Sequence, residues 1–265
     1  MSKHNTTDKT RRWEFIICPN IGFLASPEPL IKDCELKISF DRSAAYNSLL
    51  AIDETKAKAL EKPIEIKDCV AITEYISSES LISYFDRIDY EPIIYEYDDC
   101  DVLIKSIPTN ELEIRFENIK GGNTPQAMFA AIVPQACLQG DKTRSSTFFQ
   151  CNKVEEMNFT LNGASLNGFP ISIRDQSCFA PMQKFCDTTD KYYNVMSSET
   201  FSMTEFEYNF LWSHKFEGES SSQGWLGINF KLTTPYTENM CLVVWIISPT
   251  ATSIDKYHKV ERINL

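Results

Sequence analysis

The chain has 265 residues, of which 43% are hydrophobic and 12% aromatic, and it carries a formal net charge of −11. A chain of this length and composition can bury roughly 70–75% of its unfolded surface, so a sizeable core is available, and its acidity argues against wholesale binding of the body to a phosphate backbone, which needs a positive face. There is no run of about 18 apolar residues and no apolar core in the N-terminal stretch, so neither a membrane span nor a secretory leader is expected, and synthesis in the cytosol follows.

Residues 1–12 are polar, charged and aperiodic, the pattern of a flexible tail. The compact basic cluster Lys9, Arg11 and Arg12 lies there, so any nucleic-acid contact is expected from this tail alone. Residues 13–265 are expected to form a single domain. Leu36, Ile38 and Phe40 alternate with polar residues and predict a half-buried strand, and a second strand is predicted over 63–76 behind Pro63. Short helices are predicted over 53–61 and 78–87, the second with a serine cap ahead of Leu81, Ile82 and Phe85.

Further strands are predicted over 92–97, 101–107, 111–116, 128–133, 157–161, 170–173, 225–232 and 240–248. The acidic group Glu96, Asp98, Asp99 and Asp101 reads as a solvated hairpin turn between the first two, and Gly121-Gly122 as a second turn. Residues 174–222 are weakly patterned and read as a long loop region. The run MCLVVWIIS at 240–248 is the most apolar of the chain and predicts a central strand shielded on both faces. Leu36, Ile38, Phe40, Val243, Val244 and Trp245 are expected in the core. The fold class that follows is all-β: an antiparallel β-sandwich with long loops and a few short helices.

A search for chemistry finds little. The histidines, His4, His214 and His258, lack metal-ligand spacing and read as structural or solvated. The nine cysteines are odd in number and irregular in spacing, which fits neither a disulfide framework nor a zinc site; Cys34, Cys69 and Cys241 read as small core residues. No nucleophile elbow, EF-hand or phosphate loop is present. No catalytic residue, cofactor or metal is therefore expected, and the chain does not read as an enzyme. The aromatic pairs Phe148-Phe149 and Tyr192-Tyr193 read as interface anchors on polar loops.

Several segments carry a family resemblance. PLIKDCELKISFDRS, with its closing Arg42-Ser43, comes first. SIPTNELEIRF and the stretch from NIKGGNTP through FFQCNKVEEMNFTLNGASLNGFPI follow, and LGINFKL, MCLVVWIIS and IDKYHKVERINL close the chain. Together they resemble the C-terminal jelly roll of the double jelly-roll major capsid proteins of Maverick (Polinton) elements and adintoviruses. The resemblance implies a jelly-roll sandwich, a structural role by self-assembly or by binding other capsid proteins, and a place in the virion after synthesis in the host cytoplasm, with assembly there or in the nucleus. Only one of the family's two jelly rolls has a counterpart in the matched segments, so a single jelly roll is expected, either a major, minor or vertex component. A β-sandwich binding module for carbohydrate or peptide is the alternative that the same fold allows.

Overall fold

The computed structural model describes residues 86–141, 143–145, 153–173, 178–189, 210–216 and 223–264, together with Pro29, Leu30, Lys37, Val70, Phe149 and Phe206. The strand and core expected at Leu36, Ile38 and Phe40, the strand over 63–76, the helix over 53–61 and most of that over 78–87 lie outside these residues, as do Cys34 and Cys69. The chain divides into two compact units: Met1–Cys34 with Ser78–Asp99 and Pro249–Leu265, and Glu35–Ser77 with Cys100–Ser248.

The strands are β1 (Ile93–Ile107), β2 (Glu113–Asn123), β3 (Ala127–Pro134), β4 (Val154–Leu161), β5 (Ala164–Ser165), β6 (Ile171–Ser172), β7 (Trp212–Lys215), β8 (Gln223–Leu232), β9 (Met240–Ile254) and β10 (Val260–Asn264). Among the described residues α1 (Gln135–Gln139) and α2 (Phe179–Thr188) join them, and a 3-10 turn at Arg87–Asp89 precedes β1. One sheet runs β1-β9-β3-β7 and the other β2-β8-β4, with β5 and β6 both paired to β4. Among the described strands the chain crosses between sheets at six of the nine steps, and β8 and β9 return to insert between earlier strands. Interleaving of this kind is the jelly-roll arrangement of antiparallel strands.

The second unit holds the sandwich core. From the first sheet come Met128, Ala130 and Ile132 of β3, Trp212 of β7 and Leu242, Val244 and Ile246 of β9. They meet Met157 and Phe159 of β4 and Leu226, Ile228, Phe230 and Leu232 of β8. Alternation along each strand selects these residues, since side chains two apart share a face. On β9 the other face is buried too, through Cys241 and Val243, as the continuous apolar run requires. Val244 thus joins the sandwich core as expected, whereas Val243 and Trp245 face the opposite way, because β9 turns successive side chains to opposite faces.

Three sequence readings are corrected. The acidic group at 96–101 forms no turn: β1 continues through it for 15 residues. Asp-Asp-Cys-Asp supplies none of the Gly or Asn residues that a tight hairpin needs at positive φ, and ion pairs of Asp99 with Arg262 and of Asp101 with Lys120 accommodate the charge along the strand. Gly121-Gly122 is likewise part of β2, paired with Trp225 and Gly224 of β8.

The stretch 174–222, read as a loop region, contains α2 and β7. Its helical signal is Met182, Phe185 and Cys186 at helical spacing, obscured by Pro181, which the first turn of a helix tolerates because its N–H would have no partner there. Phe185 continues an aromatic chain through Phe206 and Phe210 to Trp212, with successive ring centroids 5.6, 5.1 and 5.0 Å apart. The Thr188 hydroxyl lies 3.2 Å from Ser213 Oγ and ties the end of α2 to β7.

In the first unit, β10 pairs antiparallel with the end of β9, from Val260 opposite Ile254 to Asn264 opposite Thr250. The turn between them is closed by Asp255, whose carboxylate accepts the Tyr257 and Lys259 N–H groups at 2.9 Å each. Ile93, Tyr95 and Ile254 form a small core, and the Tyr95 hydroxyl donates to the Pro29 carbonyl at 3.2 Å.

The two described faces of the first sheet differ in how much they depend on tryptophan. Trp212 is fully buried and Trp245 only partly. Trp212→Ala should cost about 3–5 kcal/mol, the usual loss for a large core aromatic, and Trp245→Ala less than half of that. Urea unfolding midpoints of the two variants against the parent check the ordering.

Candidate interaction surface

Of the aromatic residues singled out as interface anchors, Phe149 is described; Phe148, Tyr192 and Tyr193 lie outside the described residues. Phe149 is half-buried. Its ring meets Trp245 edge-on with centroids 5.6 Å apart, and its carbonyl accepts the Phe210 N–H at 3.3 Å. Beneath the pair lie Val133 of β3 and Cys241 and Val243 of β9, with Leu138 of α1 beside them. This second, smaller cluster sits on the face of β9 that points away from the sandwich core.

The same face extends onto β1. Leu103 and Ile107 turn into the core, so alternation puts Val102 and Ile104 outside, where they are 52% and 55% exposed. Sequence reasoning placed Val102 and Ile104 in a strand without assigning them to a surface. Their exposure depends on which face the register turns outward, and one sequence does not tell this.

The buried cysteines Cys241, in this cluster, and Cys137, on α1, are held as thiols. Burial pushes the Cys241 thiol up, against a hydrogen bond with Ser106 that lowers it, and burial likewise raises Cys137 despite the nearby Arg144 guanidinium. Thiols held protonated are poor nucleophiles and poor ligands. Cys137 and Cys241 form no disulfide.

The other candidate groups do not converge. Glu96, Asp98, Asp99 and Asp101 are strung along β1. Among the described residues there is no cluster of His, Cys, Asp and Glu arranged to hold a metal ion, and no helix long and apolar enough to cross a membrane. His258 is an exposed turn residue at φ 59°. His214 is buried on β7 between Phe159 and Phe216, with Nδ1 3.0 Å from the Asn167 amide oxygen. Its burial, reinforced by the Lys184 charge, lowers its pKa to about 4. The residue is a neutral packing element and suits the structural reading made from sequence.

No protein-family model matches the chain, and no curated protein sequence matches it. Among solved structures, the mavirus major capsid protein is similar over 65% of this chain and 41% of its own, at 8% identity and a TM-score of 0.37. The major capsid protein P2 of bacteriophage PM2 is similar over 57% of this chain and 44% of its own, at 8% identity and a TM-score of 0.30. The chain therefore spans less than half the length of either.

The depressed His214 pKa fixes the sign of a pH effect. Between pH 6.5 and about 4 the unfolded chain binds a proton that the folded chain refuses, so this residue's contribution falls as pH falls through that window. The expected loss is about 3 kcal/mol, and His214→Gln should remove it. Unfolding midpoints of parent and variant, followed across the window, should converge toward acid if the assignment holds.

Proposed function

We propose that this chain is a capsid structural protein of a virus or virus-like element, a single jelly roll resembling half of a double jelly-roll capsid protein, acting by association with its own copies or with other capsid proteins. The observation that carries the reading is the strand order. The segments that resemble the Maverick and adintovirus capsid proteins coincide with the strands of the sandwich: SIPTNELEIRF falls on the end of β1 and on β2, EEMNFTL on β4, LGINFKL on β8 and MCLVVWIIS on β9. On this reading the chain is no enzyme, residues 13–265 act as one domain, and its place is the virion.

The apolar outer face of the first sheet supports association as the mode of action. Apolar side chains such as Val102 and Ile104, half-exposed on a sheet face, are costly to leave in water, and apolar surface of this kind marks a contact site in many proteins. Specific interfaces remove about 1,200–2,000 Å² from solvent around a few buried anchors. Phe148, Phe149, Tyr192 and Tyr193 are the aromatic anchors of this proposal, with Val102 and Ile104 the aliphatic part.

Light scattering and electron microscopy of the purified chain test it. The expected result is a concentration-dependent mass at multiples of 30.4 kDa. The double variant Val102→Asp, Ile104→Asp should return the chain to a monomer without moving its unfolding midpoint by more than about 1 kcal/mol, because exposed positions carry little of the stability. A parent chain that stays monomeric at every concentration and forms no assemblies would overturn the proposal.

A further inference from the structure

The outer face of the second sheet has a different character. Trp225 stands on it at the start of β8, 55% exposed, at the edge of an open depression lined by Gly121, Gly122, Asn162, Gln223 and Gly224. The local backbone is arranged around this side chain. A Cβ at Gly121, its cross-strand partner, would lie 2.6 Å from the indole ring, so only glycine lets the ring rest against β2.

Asn162 holds the Trp225 backbone from the other side. Its side-chain oxygen accepts the Trp225 N–H at 2.9 Å, and its own N–H donates to the Trp225 carbonyl at 2.8 Å. Asn162 does this from a positive φ of 52°, in an Asn162-Gly163 turn that such a conformation suits. A Cβ at Gly224 would strike the same amide at 2.6 Å. The tryptophan is thus fixed in place before any ligand arrives, which lowers the ordering cost of binding.

The chemistry around the ring is neutral. Of the residues lining the depression none is charged, although the chain as a whole is 24% charged. Further down the sheet buried Thr160 stands opposite Gly227, and Asn229 lies between Asn158 of β4 and Arg115 of β2. Ser165 donates to the Asn158 side chain at 2.6 Å. Charge begins at Arg115 and continues with the pair of Lys231 and Glu155, away from the depression.

This pattern selects among ligands. A nucleic acid needs cations to offset its phosphates, and the lining supplies none. A wholly apolar partner would bury the amides of Asn162 and Gln223 without hydrogen bonds, at a cost. A sugar ring meets both demands: its C–H face lies on an aromatic surface, and its hydroxyls reach amide donors and acceptors at the rim.

We propose that the Trp225 platform binds a neutral carbohydrate, with a pyranose ring stacked on the indole and its hydroxyls bonded to the side-chain amides of Asn162 and Gln223. The site stands apart from the apolar surface of the first sheet and does not depend on the capsid reading. Binding is insensitive to salt, because no ion pair takes part.

The test is titration of the intact chain with cellotetraose, chitotetraose and N-acetyllactosamine, read by saturation-transfer NMR and tryptophan fluorescence. Saturable binding of at least one of them is expected. Trp225→Ala should weaken it about tenfold or more, and Gly121→Ala should weaken it by displacing the ring. Phe179→Ala, an equally exposed aromatic outside the depression, should leave it unchanged. No saturable binding by any of the three sugars, or binding that survives Trp225→Ala, would overturn the proposal. So would a Trp225→Ala variant whose solution mass changes while no sugar binds, since the platform would then be a contact between copies.

Discussion

A strand that is apolar on both sides must be covered on both sides, and much of the second unit follows from that constraint on Met240–Ser248. Hydrogen bonds to β3 are made in register from Ala127 opposite Ile247 to Pro134 opposite Met240, and β1 takes the other edge. One face of β9 is then closed by β4 and β8 of the opposite sheet, where Phe159, Met157 and Ile228 have essentially no exposure. On the other face Phe149 and Leu138 pack over the cluster of Cys241, Val243 and Trp245. At about 25 cal/mol for each Å² of apolar surface removed from water, this burial dominates any single hydrogen bond or surface ion pair.

The two outer faces are consequences of the same alternation, yet they are chemically unlike. On the first sheet the positions left outside are aliphatic and aromatic, with half-exposed Val102 and Ile104 beside a small packed cluster. On the second they are amides, hydroxyls and glycines around one bare indole, giving way to charge at Arg115, Glu113 and Lys231. An apolar face suits another protein surface, and a neutral hydrogen-bonding face suits a hydroxylated ligand. A jelly roll can carry both because its core uses only the inward half of each strand, which leaves the outward half to be set by contacts.

Burial sets the state of the internal titratable groups. His214 is kept neutral by its surroundings, and the buried thiols are kept protonated. The exposed carboxylates of β1 find cations at Lys120 and Arg262 and so tolerate a position within a strand.

By itself the sequence determined the fold class. Period-two alternation in β2, β4 and β8 and the continuous run of β9 are direct imprints of side chains facing one or two buried surfaces, and they were legible without any structure. Around His214 the sequence offered no metal-ligand spacing, and the structure packs that ring against Phe159 and Phe216. Other features were hidden for definable reasons. The continuity of β1 through Asp98, Asp99 and Asp101 depends on cations distant in the chain, as in the pairing of Asp101 with Lys120, which local propensity cannot register. Helix α2 was masked by a proline that only its first turn accommodates. The Trp225 platform needs Gly121 and Asn162 brought beside it from different strands, more than 60 residues away in sequence for Asn162. Only the tertiary structure decided which residues share a face, because strand register turns a whole set of side chains inward or outward at once, and register is fixed by pairing partners far apart in the chain.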